Sequence, residues 1–454
     1  MTEGSPSRHI VKFSLPLLAG NALQQAYNLV DSLVVGNFVG KEALAAVGST
    51  FIISFLVVSL FSGLSLGFTI VISQLFGAKN REGLRSAVDT AYIVALLGAI
   101  PVSLVGIASV RPLLVLLNTP AGPTMEMSAT YLTVVFAGII GTFGYNLNAG
   151  ILQGLGDSVS SLVFLAVATV LNVVLDLLFV VVFGWGVSGV AWATIVSQAV
   201  SFLLGAAFIV FRLKLTDLVP ARMRFDGRLL AEAARVGFPT GIQFMLFSIG
   251  TMVIQRLING YGPAFMAGWS ISGRIDSLAF MPIASFATAV TTFTGQNVGA
   301  GKFDRVRRGF RTTHALSALV CLTVSAVVFL VARPLMALFT PDAEVISVGV
   351  GVLRRLMPTY ILLSVLFITN SVLRGAGESF WPFAASLVSF LFLRMPLAYL
   401  FDRLFGKGEI VWSFGVGWLV GCVVALARYR SGRWRRAALS AESRDPSPNS
   451  SETL

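Results

Sequence analysis

Charge is what this chain has least of. Asp, Glu, Lys and Arg make up 12% of its 454 residues, roughly half the share found in a water-soluble domain. So few charged groups could not cover a soluble surface of this size, so the solvent for most of the chain is lipid. Histidine and cysteine are almost missing, at two residues each. Cys321 and Cys422 both sit in apolar runs, which leaves neither a disulfide framework nor a set of metal ligands. The apolar runs contain no Ser/His/Asp set, no paired histidines and no metal-ligand motif, so nothing points to an enzyme or to a resident cofactor. The short alternating segments of a membrane β-barrel are absent too. A cleavable leader is not expected: the short polar start runs into a segment with Pro16 that is too long for one.

What fills the chain is long apolar runs. Hydrophobic residues make up 56% of it, and the runs extend over about 20 residues, the helix length that crosses a bilayer core. Twelve spans are predicted, near 13–35, 48–73, 90–110, 129–152, 159–183, 189–211, 235–258, 267–292, 312–332, 354–375, 381–404 and 410–428. The expected fold is an all-α polytopic membrane protein.

The net charge of +12 comes largely from Lys and Arg in alternate connections and in the tail. Examples are Lys79, Arg81 and Arg85; Arg212 through Arg235; and Lys302 through Arg311. That pattern follows the positive-inside rule and places both termini in the cytoplasm of a multi-pass protein of the cell (inner or plasma) membrane. It indicates contact with anionic lipid headgroups rather than nucleic acid. The longest polar connection, 212–234 with Pro220, divides the chain at its middle. The expected parts are an N-terminal six-helix lobe at 1–211, this linker, a C-terminal six-helix lobe at 235–428 and a disordered tail at 429–454.

An internal repeat supports the division. QLFGAKNREGLR at 74–85 parallels QNVGAGKFDRVR at 296–307, and QGLGDS at 153–158 parallels RGAGES at 374–379. Pro16 and Pro239 both fall near the start of a half. Two halves of six spans each enter the membrane from the same side. The repeat is therefore parallel, with a cavity between pseudo-symmetric bundles.

Ionisable groups within hydrocarbon mark function by default. Asp31, Asp176, Asp276 and Arg394 lie within predicted spans, with Arg274 in the eighth span and Arg256 near the outer end of the seventh. Asn172 and Asp176 are four residues apart and share a helix face. The hairpin after the fifth span sets Thr194 at a depth similar to Asp176, and Asp31 lies at a comparable depth in the first span. Two carboxylates, a carboxamide and a hydroxyl can therefore converge. They offer oxygen ligands for Na⁺ and equally a proton-accepting pair. Pro16 interrupts the hydrogen bonding of the first span and gives it a place to bend. Glycines at 63, 67, 141 and 144 allow helices to approach closely.

The first span from Pro16 to Asp31, the Asn172/Asp176 pair, Thr194 and the paired GLGDS and GAGES loops resemble the multidrug and toxic compound extrusion (MATE) transporters, bacterial type, over nearly the whole chain. The resemblance implies two six-helix bundles in a V shape with alternating access. It implies antiport of small organic, often cationic, molecules outward against H⁺ or Na⁺, and a monomer. Carried over, Asp31, Asn172, Asp176 and Thr194 form the coupling site. Some members also carry acids on the seventh and tenth helices, where this chain has Gln243, Gln255 and Asn370. Asp276 is the embedded acid of the second half, either neutralised by Arg274 or Arg256 or in contact with substrate. Arg394 occupies the position that repeats Asn172, which favours coupling through the first half alone. Met245, Phe247, Met252, Phe280 and Met281 are candidates for the cavity wall. Two other functions stay open: a flippase for a lipid-linked precursor, which needs a basic cavity from Arg256, Arg274 and Arg394, and more remotely an intramembrane enzyme.

Overall fold

The computed structural model describes residues 1–117, 119–219 and 221–435. Pro220 and the segment 436–454, where most of the disordered tail was expected, lie outside the described residues. Every regular element among them is helical. The elements are α1 Pro6–Val34, α2 Lys41–Gly77, α3 Arg81–Leu116, α4 Pro123–Ala137, α5 Ile139–Leu155, α6 Ser158–Asp176, α7 Gly186–Ala207 and α8 Gly227–Asn259. They continue with α9 Pro263–Gly299, α10 Phe303–Leu330, α11 Ala332–Ala337, α12 Ala343–Leu356, α13 Tyr360–Gly375, α14 Phe380–Ser386, α15 Met395–Phe405 and α16 Trp412–Arg430.

Among the described residues ten helical segments are long and apolar enough to cross a membrane, or eleven if α4 and α5, bent by 52° at Gly138, form one span. The helix α1 is not among them, because Asn21, Gln24, Gln25, Asn28 and Asp31 lower its hydropathy. The predicted span at 354–375 begins earlier, since α12 runs into α13 through a short 3₁₀ turn at Met357–Thr359.

The chain forms two compact units. The first comprises Lys12–Ile72 and Asn80–Ser248; the second comprises Met1–Val11, Ser73–Lys79 and Ile249–Leu454. The connection 212–234 belongs to the first unit. It is held there by the Arg224 amide on Asp89 Oδ2 at 3.2 Å, the Asp226 amide on Thr90 Oγ1 at 2.9 Å and an Arg224–Glu82 ion pair at 2.6 Å.

Glycine spacing sets the close approaches in the first unit. A Cβ on Gly63 would strike the backbone of Gly237 and Gly241, and one on Gly67 the carbonyl of Ala233. The small residues of α2 and α8 thus interlock at four-residue spacing, as lipid-embedded helices do.

In the second unit the two copies of the repeated motif meet. A Cβ on Gly77 would land on the carbonyl of Gln296, and a Cβ on Gly299 would land on the carbonyl of Gln74. The contact is reciprocal, because Gln74 and Gly77 are the repeat partners of Gln296 and Gly299. The start of the chain is fastened beside it. Arg305 donates to the carbonyls of Gly4 at 2.8 Å, Met1 at 3.1 Å and Glu3 at 3.2 Å, and its Nε donates to Asn297 Oδ1 at 2.9 Å.

The loop motifs are explained by caps. Gly156 closes α5 in the left-handed region and Asp157 then caps α6 through the Ser160 amide at 2.9 Å. The repeat copy diverges: Glu378, in place of Asp157, pairs with Arg428 instead. The expectation of disorder from residue 429 is corrected. Helix α16 runs on to Arg430, and Trp434 beyond it is 1% exposed, so the turn at 431–435 is held by a buried indole. Cys321 and Cys422 are buried free thiols.

Candidate functional site

All the members of the acidic cluster lie in the first unit. Asp31 sits three residues before the end of α1 and Asp176 is the last residue of α6. After each, the helix widens into a π-helical turn, at Val35–Val39 and Leu177–Val182 respectively. Such turns are often found at functional sites. Here they carry an apolar cluster of Val34, Val35, Val180, Val187 and Val190, with Tyr131 at its margin.

Asn172 and Asp176 are fully buried, at 0% exposure. With its amide oriented to suit its neighbours, Asn172 donates to Asp31 Oδ1 at 2.9 Å and to Asp176 Oδ2 at 3.3 Å. The two carboxyl groups are within hydrogen-bonding reach of each other, while Asp176 Oδ1 has no partner. Asp31 is also a hydrogen-bonding neighbour of Tyr27. The Tyr27 hydroxyl bonds in turn to Thr194 Oγ1 at 3.2 Å. The one phenolic proton of Tyr27 goes to Thr194 Oγ1, or to Asp31 when the threonine hydroxyl turns to donate in its place.

The structure thus brings Asp31, Asn172 and Asp176 together, and adds Thr194 through a side chain that sequence reasoning missed. The signal for Tyr27 was its place one turn before Asp31 on the same face. Tyr131, within Coulombic range of both aspartates, was missed as well and gave no local signal. Two ionised carboxylates this close repel strongly in a medium of low dielectric. A proton shared between them, or a monovalent cation among them, removes the repulsion. Pro16 lies inside α1, and the helix passes from one compact unit to the other between Val11 and Lys12. Lys12 is the residue whose carbonyl Pro16 leaves without its helical donor.

The other candidates are divided between the units. Gln243 and Met245 belong to the first; Met252, Gln255, Asp276, Phe280, Met281, Asn370 and Arg394 belong to the second. Met281 and Asn370 are buried, Met252 and Phe247 are exposed, and Phe280 meets Phe367 edge-on at 5.0 Å. Gln255 donates to Asn259 at 2.8 Å. The expected neutralisation of Asp276 by Arg274 or Arg256 is corrected, since both arginines are exposed. Two residues along a helix point to different faces, so proximity in sequence was misleading. Asp276 instead accepts from the Tyr360 hydroxyl and lies within Coulombic range of Arg394. Arg394 is buried, with its guanidinium carbon 3.4 Å from the centre of the Phe414 ring. A basic cavity for a pyrophosphate gains no support from this arrangement.

A family profile, MatE, matches residues 16–178 and 239–400. Over 97% of its length the chain is 33% identical to "Probable multidrug resistance protein YpnP" of Bacillus subtilis (strain 168), covering 98% of that protein. It is 27% identical to "Probable multidrug resistance protein NorM" of Thermotoga maritima, over 96% of this chain and 95% of the other. Among solved structures it superimposes on a MOP superfamily transporter from Pyrococcus furiosus with a TM-score of 0.87. The identity is 26%, covering 96% of this chain and 97% of that one.

Proposed function

This chain belongs to the MATE family, whose members are transporters and not enzymes, and from that premise we propose that it is a secondary antiporter. It exports organic, often cationic, compounds across the cell membrane in exchange for H⁺ or Na⁺. Both termini are cytoplasmic, and the cation is handled by Asp31, Asn172, Asp176 and Thr194.

The observation that carries this reading is the meeting of two carboxyl groups at one buried carboxamide. With neither proton nor cation the pair is self-repelling, so the local arrangement around α1 depends on whether a positive charge is present. Asn172 suits either ion. Its NH₂ bridges the carboxyl groups when a proton is shared. Turned over, its oxygen joins theirs around a sodium ion. Pro16 is the weak point at which α1 can bend in response, so loading the site changes the helix that carries Asp31. Two related proteins are named for multidrug resistance, which supports organic substrates.

The test is export of a fluorescent organic cation from proteoliposomes, driven in one arm by a pH gradient without sodium and in the other by a sodium gradient at fixed pH. One arm is expected to drive transport. Asp31→Asn and Asp176→Asn are each expected to reduce gradient-driven export at least about tenfold, a typical size for coupling between two sites. Export left intact in both variants would sink the coupling assignment. Movement of a lipid-linked sugar with no export of the dye would replace this reading with the flippase.

A further inference from the structure

The turn after α16 is held in place more firmly than any feature of the mechanism requires. Trp434 is buried, its indole N–H donates to the Tyr429 carbonyl at 3.1 Å, and its ring stacks on Tyr429 at 5.7 Å with the planes 8° apart. Tyr429 also stacks against Phe310 of α10 at 3.8 Å. This aromatic column brings Arg435 to the place where α10 presents two arginines. Arg307 and Arg311, four residues apart and both exposed, share one face of that helix. All three guanidinium groups lie within Coulombic range of the Tyr429 hydroxyl.

Like charges gathered in this way repel, and acidic compensation among the described residues is slight. Asp304 pairs with Arg307 at 3.7 Å, and both side chains are well exposed. Arg435 Nε is buried without a partner. The three groups therefore offer positive charge and free N–H donors in excess of what the protein itself satisfies. Guanidinium forks match the oxygens of a phosphate.

We propose that Arg307, Arg311 and Arg435 form a binding site for the phosphate diester of an anionic phospholipid headgroup. The site stands where α10 begins and α16 ends, which is the depth of headgroups. Tyr and Trp prefer that interface. Farther along the same two helices Leu319, Leu322, Leu419 and Val423 are exposed, giving acyl chains an apolar surface to follow. A free phosphate would use the guanidinium groups but not these side chains.

The test is native mass spectrometry of the full chain with phosphatidylglycerol and with phosphatidylcholine of the same acyl chains. Selective retention of phosphatidylglycerol is expected. Each guanidinium near a membrane surface contributes about fivefold, so the triple variant Arg307→Gln, Arg311→Gln, Arg435→Gln should bind on the order of a hundredfold more weakly. Trp434→Ala removes no charge but releases Arg435, and a severalfold loss is expected. A triple replacement elsewhere, at the exposed Arg333→Gln, Arg354→Gln and Arg403→Gln, should leave retention unchanged. Equal retention of the two lipids would overturn the proposal. So would an equal loss in the distant triple variant, or displacement of the lipid by inorganic phosphate.

Discussion

Tyr27 stands between Thr194 and Asp31, and its hydroxyl is what it would bring to the proposed cation site. Tyr27→Phe keeps the ring and removes that link. A hydrogen bond to a charged group contributes about 1.5–3 kcal/mol, so the half-saturating cation concentration for transport should rise by about tenfold or more while maximal export with excess cation changes little. An unchanged cation dependence would exclude the hydroxyl from the site. Asp276 makes a different prediction. Asp276→Asn leaves the buried Arg394 guanidinium without its nearby countercharge, at a cost of up to about 3 kcal/mol. The expected result is a lower melting temperature in detergent, with the cation dependence of export preserved. Adding Arg394→Met should recover most of the loss, since removing both partners of a buried pair is far milder than removing one. The aspartates and Arg394 were legible in the sequence because a charge in hydrocarbon stands out against its neighbours. The tyrosines were not, because an aromatic ring within an apolar run reads the same whether it packs or donates. The true neighbours of Asp276 come from distant segments, which local spacing does not reveal.

Among the elements, α1 both carries Asp31 and passes between compact units one turn ahead of Pro16. A proline within a helix costs about 3 kcal/mol. Pro16→Ala should therefore raise thermal stability yet slow export several-fold, because the stiffened helix no longer answers to the cation. A variant both stable and fully active would show that the proline is only a static kink. The existence of α1 and its approximate bounds were legible from its apolar residues, whereas the π-helical turns after Asp31 and Asp176 were not. They depend on how side chains of neighbouring helices fit, and no residue type encodes them. The reciprocal glycines allow a further prediction. Gly77→Ala and Gly299→Ala each force a Cβ into a backbone carbonyl, and overpacking of this kind costs about 1–3 kcal/mol. In the double variant the losses in stability should fall short of their sum, since one separation of the two helix ends relieves both clashes. Strict additivity would show that the two clashes are relaxed independently.

At the scale of the whole molecule, the buried acidic cluster occurs once among the described residues. Its repeat position holds Arg394 in place of Asn172, so export rate should rise hyperbolically with the driving cation, as for one site; a sigmoidal dependence would require a second. The twelve-span, two-half plan was legible because duplication left its mark on loops with strict backbone demands. What separates the halves chemically was legible only as a mismatch, and its meaning needed the neighbours of Arg394. The mutual contact of Gly77 with Gln296 and of Gly299 with Gln74 carries a consequence for symmetry. Residue i meeting j while j meets i is the signature of a two-fold dimer, here retained within one polypeptide. Two separate identical halves meeting through these glycines would form such a dimer. In such a pair every substitution arrives twice, so asparagine at one site and arginine at the other could not coexist. Within one polypeptide the copies are free to differ, and they do: asparagine stands at residue 172 and a buried arginine at its repeat position, 394.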